Sequence, residues 1–476
     1  MESLTERLRT NPSSYALAVA AAVALAAVGV GALLGFAGPL ITLAALAALG
    51  VALWALTSVE VGLWGVVAII ALLPFASLPF KVVFTPTFLD LAMGGVLLVY
   101  ASEWMTRRRR QVALTPAHPL VAAFIVLAVF SFVAGLPNGP LTPNLARQFA
   151  ELLLGMAFVL VVVDHAGSPK PLGRLVRIVI LTGAMAAALG IVLYFLPPAV
   201  SDRALSALGV LGYPAGGVLR YIEDNPENAQ RAIATSVDPN VLGGLLAIVG
   251  GLLTPQLVAR RPLLGSRWAT YAAFAVVVTC LILTFSRGAM TALGVAWLGI
   301  ILARYRRLLP AALALAAVIL VLPATQAYVA HFAEGLRGQD LATQMRFGEY
   351  KDAFILISRH PFGVGFSGAP EIDIYLGVSS AYLIMAEEMG LTGLALFLVT
   401  MLTVFAWAFS RRRAVYADED LTPLWLGAHA GLAAALTVGV VDHYFFNLAF
   451  QPAGTFFWMI VGLCLAATRL TRASDL

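Results

Sequence analysis

The sequence predicts an all-α, polytopic integral membrane protein, and three observations lead there. Of 476 residues, 61% are hydrophobic and only 12% charged, with a mean hydropathy of +0.90, far from the balance of a soluble globular chain. Apolar runs long enough to cross about 30 Å of hydrocarbon as helices recur from end to end. Clusters of lysine and arginine fall in every second connection between those runs.

Roughly fourteen spans are predicted. Behind a cytoplasmic N-terminus, residues 1–14, come seven in the region 15–196: 15–36, 39–57, 59–74, 86–104, 118–136, 145–164 and 173–196. The weakest break between neighbours is at Ser58 and Glu60. The first run is too long for a signal-peptide core and is expected to stay as an anchor. A long outer loop, 197–238, follows. The region 239–323 supplies 240–259, 268–285, 288–303 and 308–323, and the second long outer loop covers 324–379. Spans at 380–410, 423–441 and 453–469 fill the C-terminal region, 380–476, which ends in a cytoplasmic tail.

Orientation follows from the basic residues. With the N-terminus inside, each inner connection carries a cluster: Arg7 and Arg9, the run Arg107 to Arg110, then Lys170, Arg174 and Arg177, then Arg260, Arg261 and Arg267, then Arg304, Arg306 and Arg307, then Arg411 to Arg413, and Arg469 and Arg472. No short outer loop carries one, which is the positive-inside pattern and places both termini in the cytoplasm. The two cysteines, Cys280 and Cys464, fall inside spans, so neither a disulfide framework nor a cysteine metal site is expected. No nucleic-acid partner is expected; membrane lipids are the surroundings.

The remaining basic residues are the ones that call for a role. "ILTFSRGAMTALG" places Arg287 at a tight outward turn between the ninth and tenth spans, after Ser286 and before Gly288. A snorkelling arginine at the head-group level is the plain reading. The sharper one is an anion site, because a guanidinium keeps its charge and donates in a fixed fork that matches phosphate oxygens. In "QRAIATSVDPNVLGGLL", Asp238 reads as a helix N-cap and Pro239 as a first helical position, which accounts for both without chemistry. Arg231, seven residues before Asp238, is not explained that way.

"QMRFGEYKDAFILISRHPFGVGFSG", 344–368, spaces Phe347, Tyr350, Phe354, Ile355 and Ile357 as an amphipathic helix lying on the outer surface. Of its charged residues Arg346, Glu349, Lys351 and Asp352, the last two read as the solvated side, and the proline and glycines after Arg359 end the helix, with His360 as a helix-ending residue. Charges inside spans, namely Asp90, the pair Arg147 and Glu151, and Glu387 with Glu388, are costly in lipid and are expected to face the protein interior.

Four of these stretches, in this order and on one side of the membrane, resemble the O-antigen ligase and polymerase superfamily: "RAIATSVDPNVLG", "TFSRGA", "MRFGEYKDAFILISRHPFGVGF" and "SSAYLIMAEEMGLTGLALFL". They cover roughly Arg231 to Leu398; before that only the hydropathy agrees. The resemblance implies a bacterial inner-membrane glycosyltransferase that takes a glycan from a polyprenyl (undecaprenyl) diphosphate carrier on the periplasmic face. In ligases the glycan passes to lipid A core; in polymerases it passes to another lipid-linked repeat. Arg231 and Arg287 would bind the diphosphate and stabilise its developing charge, with Arg346 as a third contact. Ser379, Ser380 and Tyr382 would line the substrate path. No metal and no other cofactor is expected, and the family's chemistry implies inversion at the anomeric carbon.

One departure bears on the chemistry. Ligases of the superfamily carry a histidine just before the "YL" that opens the span after the long loop, where this chain has Ser379 and Ser380. Serine cannot act as a base in place of imidazole near neutral pH. Either another group takes the acceptor proton, the protein is of the polymerase type, or it is inactive. Glu371, Asp373, Glu349 and His443 are the candidate bases, and Glu388 matches the glutamate of the family's "AE-x-G" pattern. The missing histidine favours polymerase over ligase. A transporter or flippase of the same lipid-linked sugar is the alternative, although it would call for charges near the midplane and a repeat between halves. A noncatalytic envelope scaffold is the third reading.

Overall fold

The computed structural model describes residues 12–81, 83–109, 111–322, 326, 329–330, 333–334, 337–338, 341–368 and 378–471. Helices occupy every stretch read as a span, and the only strands among the described residues are two short ones outside them. In order, α1 is Pro12–Ala55, α2 Val59–Leu72, α3 Phe88–Met105, α4 His118–Gly135, α5 Pro143–His165 and α6 Pro169–Phe195. The short α7, Pro198–Ser206, leads to strands β1, Arg220–Tyr221, and β2, Gln230–Arg231. Then come α8 Pro239–Leu253, α9 Arg267–Leu283, α10 Arg287–Ala303, α11 Leu309–Val321, α12 Leu341–Arg359, α13 Ala381–Ala417, α14 Leu421–Val441 and α15 Gln451–Arg469. Among the described residues, eight helices are long and apolar enough to cross a membrane, and α2, α9 and α10 are shorter apolar helices.

Local signals set the helix boundaries. Gly38, at φ 79°, followed by Pro39 breaks α1 between the first two predicted spans. The weak break at Ser58 is real, since Ser58 caps α2 by accepting from the Val61 amide at 3.3 Å. Thr87 and Asp90 form a reciprocal capping box at the start of α3.

The bundle is organised around α15, which is buried along nearly its whole length and packs on α5, α13 and α14. Trp458 of α15, Phe124 of α4, Phe397 of α13 and Phe446 meet at ring separations of 5.9–6.4 Å, filling the interior with aromatic volume. With no water to drive helices together inside a bilayer, close backbone approach does the work. A Cβ at Gly251 of α8 would meet the Gly431 nitrogen of α14 at 2.8 Å, so only a glycine-lined seam allows these two helices to touch. The charges expected to face inward do so: Arg147 bridges Asp90 at 3.1 Å and Glu151 at 2.7 Å, and Glu151 and Glu387 are buried.

A clamp joins the segment after α12 to α4 and α13. Helix α13 breaks at Gly390, φ 71°, and residues 361–365 hydrogen-bond to the break: Val364 donates to the Glu387 carbonyl, Gly365 to that of Glu388, and Leu391 to that of Pro361, at 2.8–2.9 Å. On its other side, Asn138 Nδ2 donates to the Val364 carbonyl at 2.7 Å, and a Cβ at Gly365 would lie 2.5 Å from Gly135 Cα. The proline and glycines that end α12 therefore thread the chain between α4 and α13.

Helix α12 departs from its expected amphipathic face. Ala353, Leu356 and Ile357 are the buried positions, packed toward α13, whereas Phe347 and Phe354 are 60% and 62% exposed. These two, one i,i+7 pair, form a second apolar edge, so the periodicity expected to mark one face merged two.

Candidate functional site

Four connections that the sequence puts on one side of the membrane converge on one cleft with about 670 Å³ of empty space. Its charged lining is Glu223, Arg231, Arg287, Arg346 and Asp442, three guanidinium groups against two carboxylates, with Asn240 beside them. The three arginines read from the sequence as anion contacts thus share one cavity, at the ends of α8, α10 and α14.

Arg231 is held by the backbone of the neighbouring hairpin. Its Nε donates to the Thr284 carbonyl at 2.8 Å, its Nη2 to Asn240 Oδ1 at 2.8 Å, and the next amide, Ala232, to the Leu283 carbonyl at 2.8 Å. Burial pulls its pKa down from the ordinary arginine value; the charge of Arg346 acts the same way, against Asp238, Asp224 and Asp442. An arginine pressed in this way keeps its proton and gains from a bound anion. Arg287 is the first residue of α10, after Phe285 and the buried Ser286. There its charge lies at a helix N-terminus, where amides also favour an anion.

The backbone around the cleft is strained. Six residues other than glycine have positive φ among the described residues, and five of them, Glu223, Asp224, Ala234, Val237 and Phe285, lie in the segments that form this cleft. Such conformations persist where surrounding contacts over-determine them, typically at working sites.

Asp238 is the expected N-cap: Oδ1 accepts from Asn240 at 2.7 Å and Val241 at 3.1 Å. Burial, then the charge of Asp442, pushes its carboxyl above the usual range.

The other site residues named from the sequence divide. Glu371 and Asp373 lie outside the described residues. His443 does not line the cleft; its ring packs edge-on to Phe450 at 5.6 Å, with Nδ1 3.4 Å from Asp442 Oδ1. Ser379 accepts the Tyr350 hydroxyl on its carbonyl at 3.2 Å and donates its amide to Glu349 at 2.9 Å. Ser380 is buried, and the Tyr382 hydroxyl donates to the Leu436 carbonyl at 2.7 Å, so both are placed in the seam between α13 and α14 rather than in the cleft. Asn240, Glu223 and Asp442 line the cleft but are not among the site residues predicted from the sequence. An amide two residues after an N-cap was the available signal for Asn240; Glu223 had none.

Past Val438 the cleft meets a second, almost wholly apolar cavity, bounded by Val241, Leu245 and Ile248 of α8, Ala435 of α14, Tyr444 and Phe457. Charged cleft and apolar cavity share the walls of α8 and α14. Among the described residues, no group of three or more His, Cys, Asp or Glu is placed to hold a metal ion.

Residues 271–398 match the family model described as O-Antigen ligase, Wzy_C. The matched stretch runs from α9 into α13 and includes Arg287, Arg346 and the clamp; Arg231, Asn240 and Asp442 lie outside it. No curated protein matches the chain.

Proposed function

We propose that this multi-pass membrane enzyme, which carries an O-antigen ligase domain, moves a glycan from a polyprenyl-diphosphate carrier to a sugar acceptor, inverting the anomeric centre without a metal. The observation that carries this reading is the convergence of Arg231, Arg287 and Arg346 on one cleft. The diphosphate would sit among these guanidinium groups, and the first isoprene units would occupy the apolar cavity past Val438. By the positive-inside pattern the cleft faces the periplasm and both termini the cytoplasm, with the protein in the bacterial inner membrane.

In the transfer, an acceptor hydroxyl oxygen forms the new bond to the anomeric carbon as the bond to the diphosphate oxygen breaks, and the electron pair leaves with the diphosphate. Preorganised guanidinium groups stabilise that charge. The hydroxyl proton passes to a carboxylate, and Asp442 is the candidate within the cleft, in place of the histidine that ligases carry. That substitution supports transfer to a lipid-linked repeat, the polymerase reaction, over transfer to lipid A core. Loop residues Glu371 and Asp373 remain candidates for the same role. The alternative of a transporter is less well supported, because the charged cleft lies at helix ends.

The test uses purified protein in detergent with a short oligosaccharide on undecaprenyl diphosphate, following free carrier and glycan size. Wild-type protein is expected to release carrier and lengthen glycan in repeat-sized steps, and Arg231→Ala and Arg287→Ala to lose both. No release from the wild type, with or without a lipid A core acceptor, would overturn the reading.

A further inference from the structure

A different cavity lies at the opposite end of α10 from Arg287. Ala296, Gly299, Ile300 and Ala303 recur at i, i+3, i+4 and i+7 and so form one stripe of that helix. Phe405, Ala408 and Phe409 of α13 face the stripe, and the floor is α14, including Trp425 and His429. About 600 Å³ of space is left between them, almost entirely apolar. A Cβ at Gly299 would meet nothing within 4 Å, so the gap is open at its centre.

The mouth of this groove is basic. Arg304 follows Ala303 directly and lies 4.8 Å over the Tyr416 ring, whose hydroxyl donates to the Ala303 carbonyl at 3.2 Å. Arg412 lies 3.7 Å over the ring of Phe409, a lining residue, and donates to its carbonyl at 2.7 Å. Aromatic rings therefore fix two guanidinium groups at one end of an apolar trough. Among the described residues neither arginine forms an ion pair with a carboxylate, unlike Arg260 and Arg261 nearby in the same set of connections, which pair with Glu419 and Asp420. Arg306, Arg307, Arg411 and Arg413 are near neighbours of Arg304 and Arg412 in the sequence.

We propose that this groove binds an anionic glycerophospholipid of the leaflet opposite the arginine cleft, with an acyl chain along α10 and α13 and the phosphate between Arg304 and Arg412. Charge complementarity selects the occupant: a trough at bilayer depth accepts any acyl chain, but two guanidinium groups at its rim with no carboxylate partner among the described residues favour a head group with net negative charge. This site is separate from the cleft and does not depend on the transferase reading.

The experiment is native mass spectrometry of the full-length protein, delipidated in detergent and then offered phosphatidylglycerol and phosphatidylcholine with identical acyl chains in equal amounts. Wild-type protein is expected to retain phosphatidylglycerol over phosphatidylcholine by about thirtyfold, the scale set by two basic residues near an anionic head group. Arg304→Gln with Arg412→Gln, both at the water boundary, is expected to abolish that preference. Gly299→Trp, which fills the trough, is expected to reduce retention of both lipids, with monodispersity on size exclusion confirming the fold of each variant. Equal retention of the two lipids by the wild type overturns the proposal. So does a preference that survives in the arginine double variant, or undiminished retention in a monodisperse Gly299→Trp protein.

Discussion

Arg231 donates from Nη2 to Asn240 Oδ1 at 2.8 Å, tying a loop arginine to the first turn of α8. That bond leaves one edge of the guanidinium committed and its orientation fixed toward the cleft. Replacing Asn240 with leucine removes a hydrogen bond to a charged group, about 1.5–3 kcal/mol. If all of it is felt at the transition state, carrier release falls roughly 10- to 100-fold. Carrier release at the wild-type rate by Asn240→Leu would show that the tether does not position Arg231 for the reaction.

Arg287 tests the fork against the charge. Alanine there is expected to lower kcat/KM by about 10²–10³, the usual loss for one oxyanion donor. Lysine keeps the charge without the planar pair of donors, so its activity should fall between alanine and wild type. A lysine variant as active as wild type would mean that Arg287 acts as a point charge alone.

Asp442 and His443 separate a base from its neighbour. Asp442→Asn is expected to reduce turnover by about 10²–10⁴, the range for a lost general base, without loss of carrier binding. His443→Ala is expected to change it little, because the imidazole packs on Phe450 outside the cleft. The reverse ranking would return the proton to the histidine.

Asp238 predicts a pH effect on stability. Its carboxyl has a folded pKa above the unfolded value, so the folded protein binds that proton more tightly. The contribution is present below the unfolded pKa and is lost as pH rises through the folded one. Asp238→Asn keeps the cap acceptor and removes the titration, so its unfolding temperature should vary less between the unfolded and the folded pKa of Asp238. Asp238→Ala removes the cap as well and costs about 1 kcal/mol at any pH. An Asn variant with the wild-type pH dependence would trace the effect to another group.

The clamp at Gly390 should tolerate no side chain. Its φ of 71° and ψ of 179° belong to glycine, and a Cβ would lie 2.3 Å from the Phe362 carbonyl carbon. Strain of this kind costs about 1–3 kcal/mol before the clash is counted. Gly390→Ala is therefore expected to extract as aggregated or proteolysed protein, and a monodisperse, fully active variant would contradict the clamp.

What the sequence made legible follows its physics. Hydropathy and basic clusters located the helices because lipid demands long apolar runs, and Asp238, Pro239 and the Gly38–Pro39 break are local signals read within a few residues. Arg231 and Arg287 stood out because a charge beside a span needs a reason. Asp442 was harder: its carboxylate lines the cleft, whereas the imidazole of the next residue, with Nδ1 3.4 Å from that carboxylate, packs on Phe450 and does not. The clamp was not legible, since glycine and proline after α12 announce a turn but not that it threads between α4 and α13. On α12, apolar spacing could not separate a packed edge from an exposed one.

The hairpin that carries Arg287 has a length of its own to reckon with. Helices α9 and α10 contain 17 residues each, about 25 Å at 1.5 Å per residue, against roughly 30 Å of hydrocarbon. Such a mismatch is met by thinning of the surrounding bilayer. The head-group plane would then dip toward the arginine turn, shortening the distance a carrier's diphosphate must descend to reach it. If α9 and α10 cross the membrane and the donor is the proposed lipid-linked one, membrane thickness becomes a variable of the enzyme, with thicker bilayers making donor capture harder while leaving every side chain unchanged.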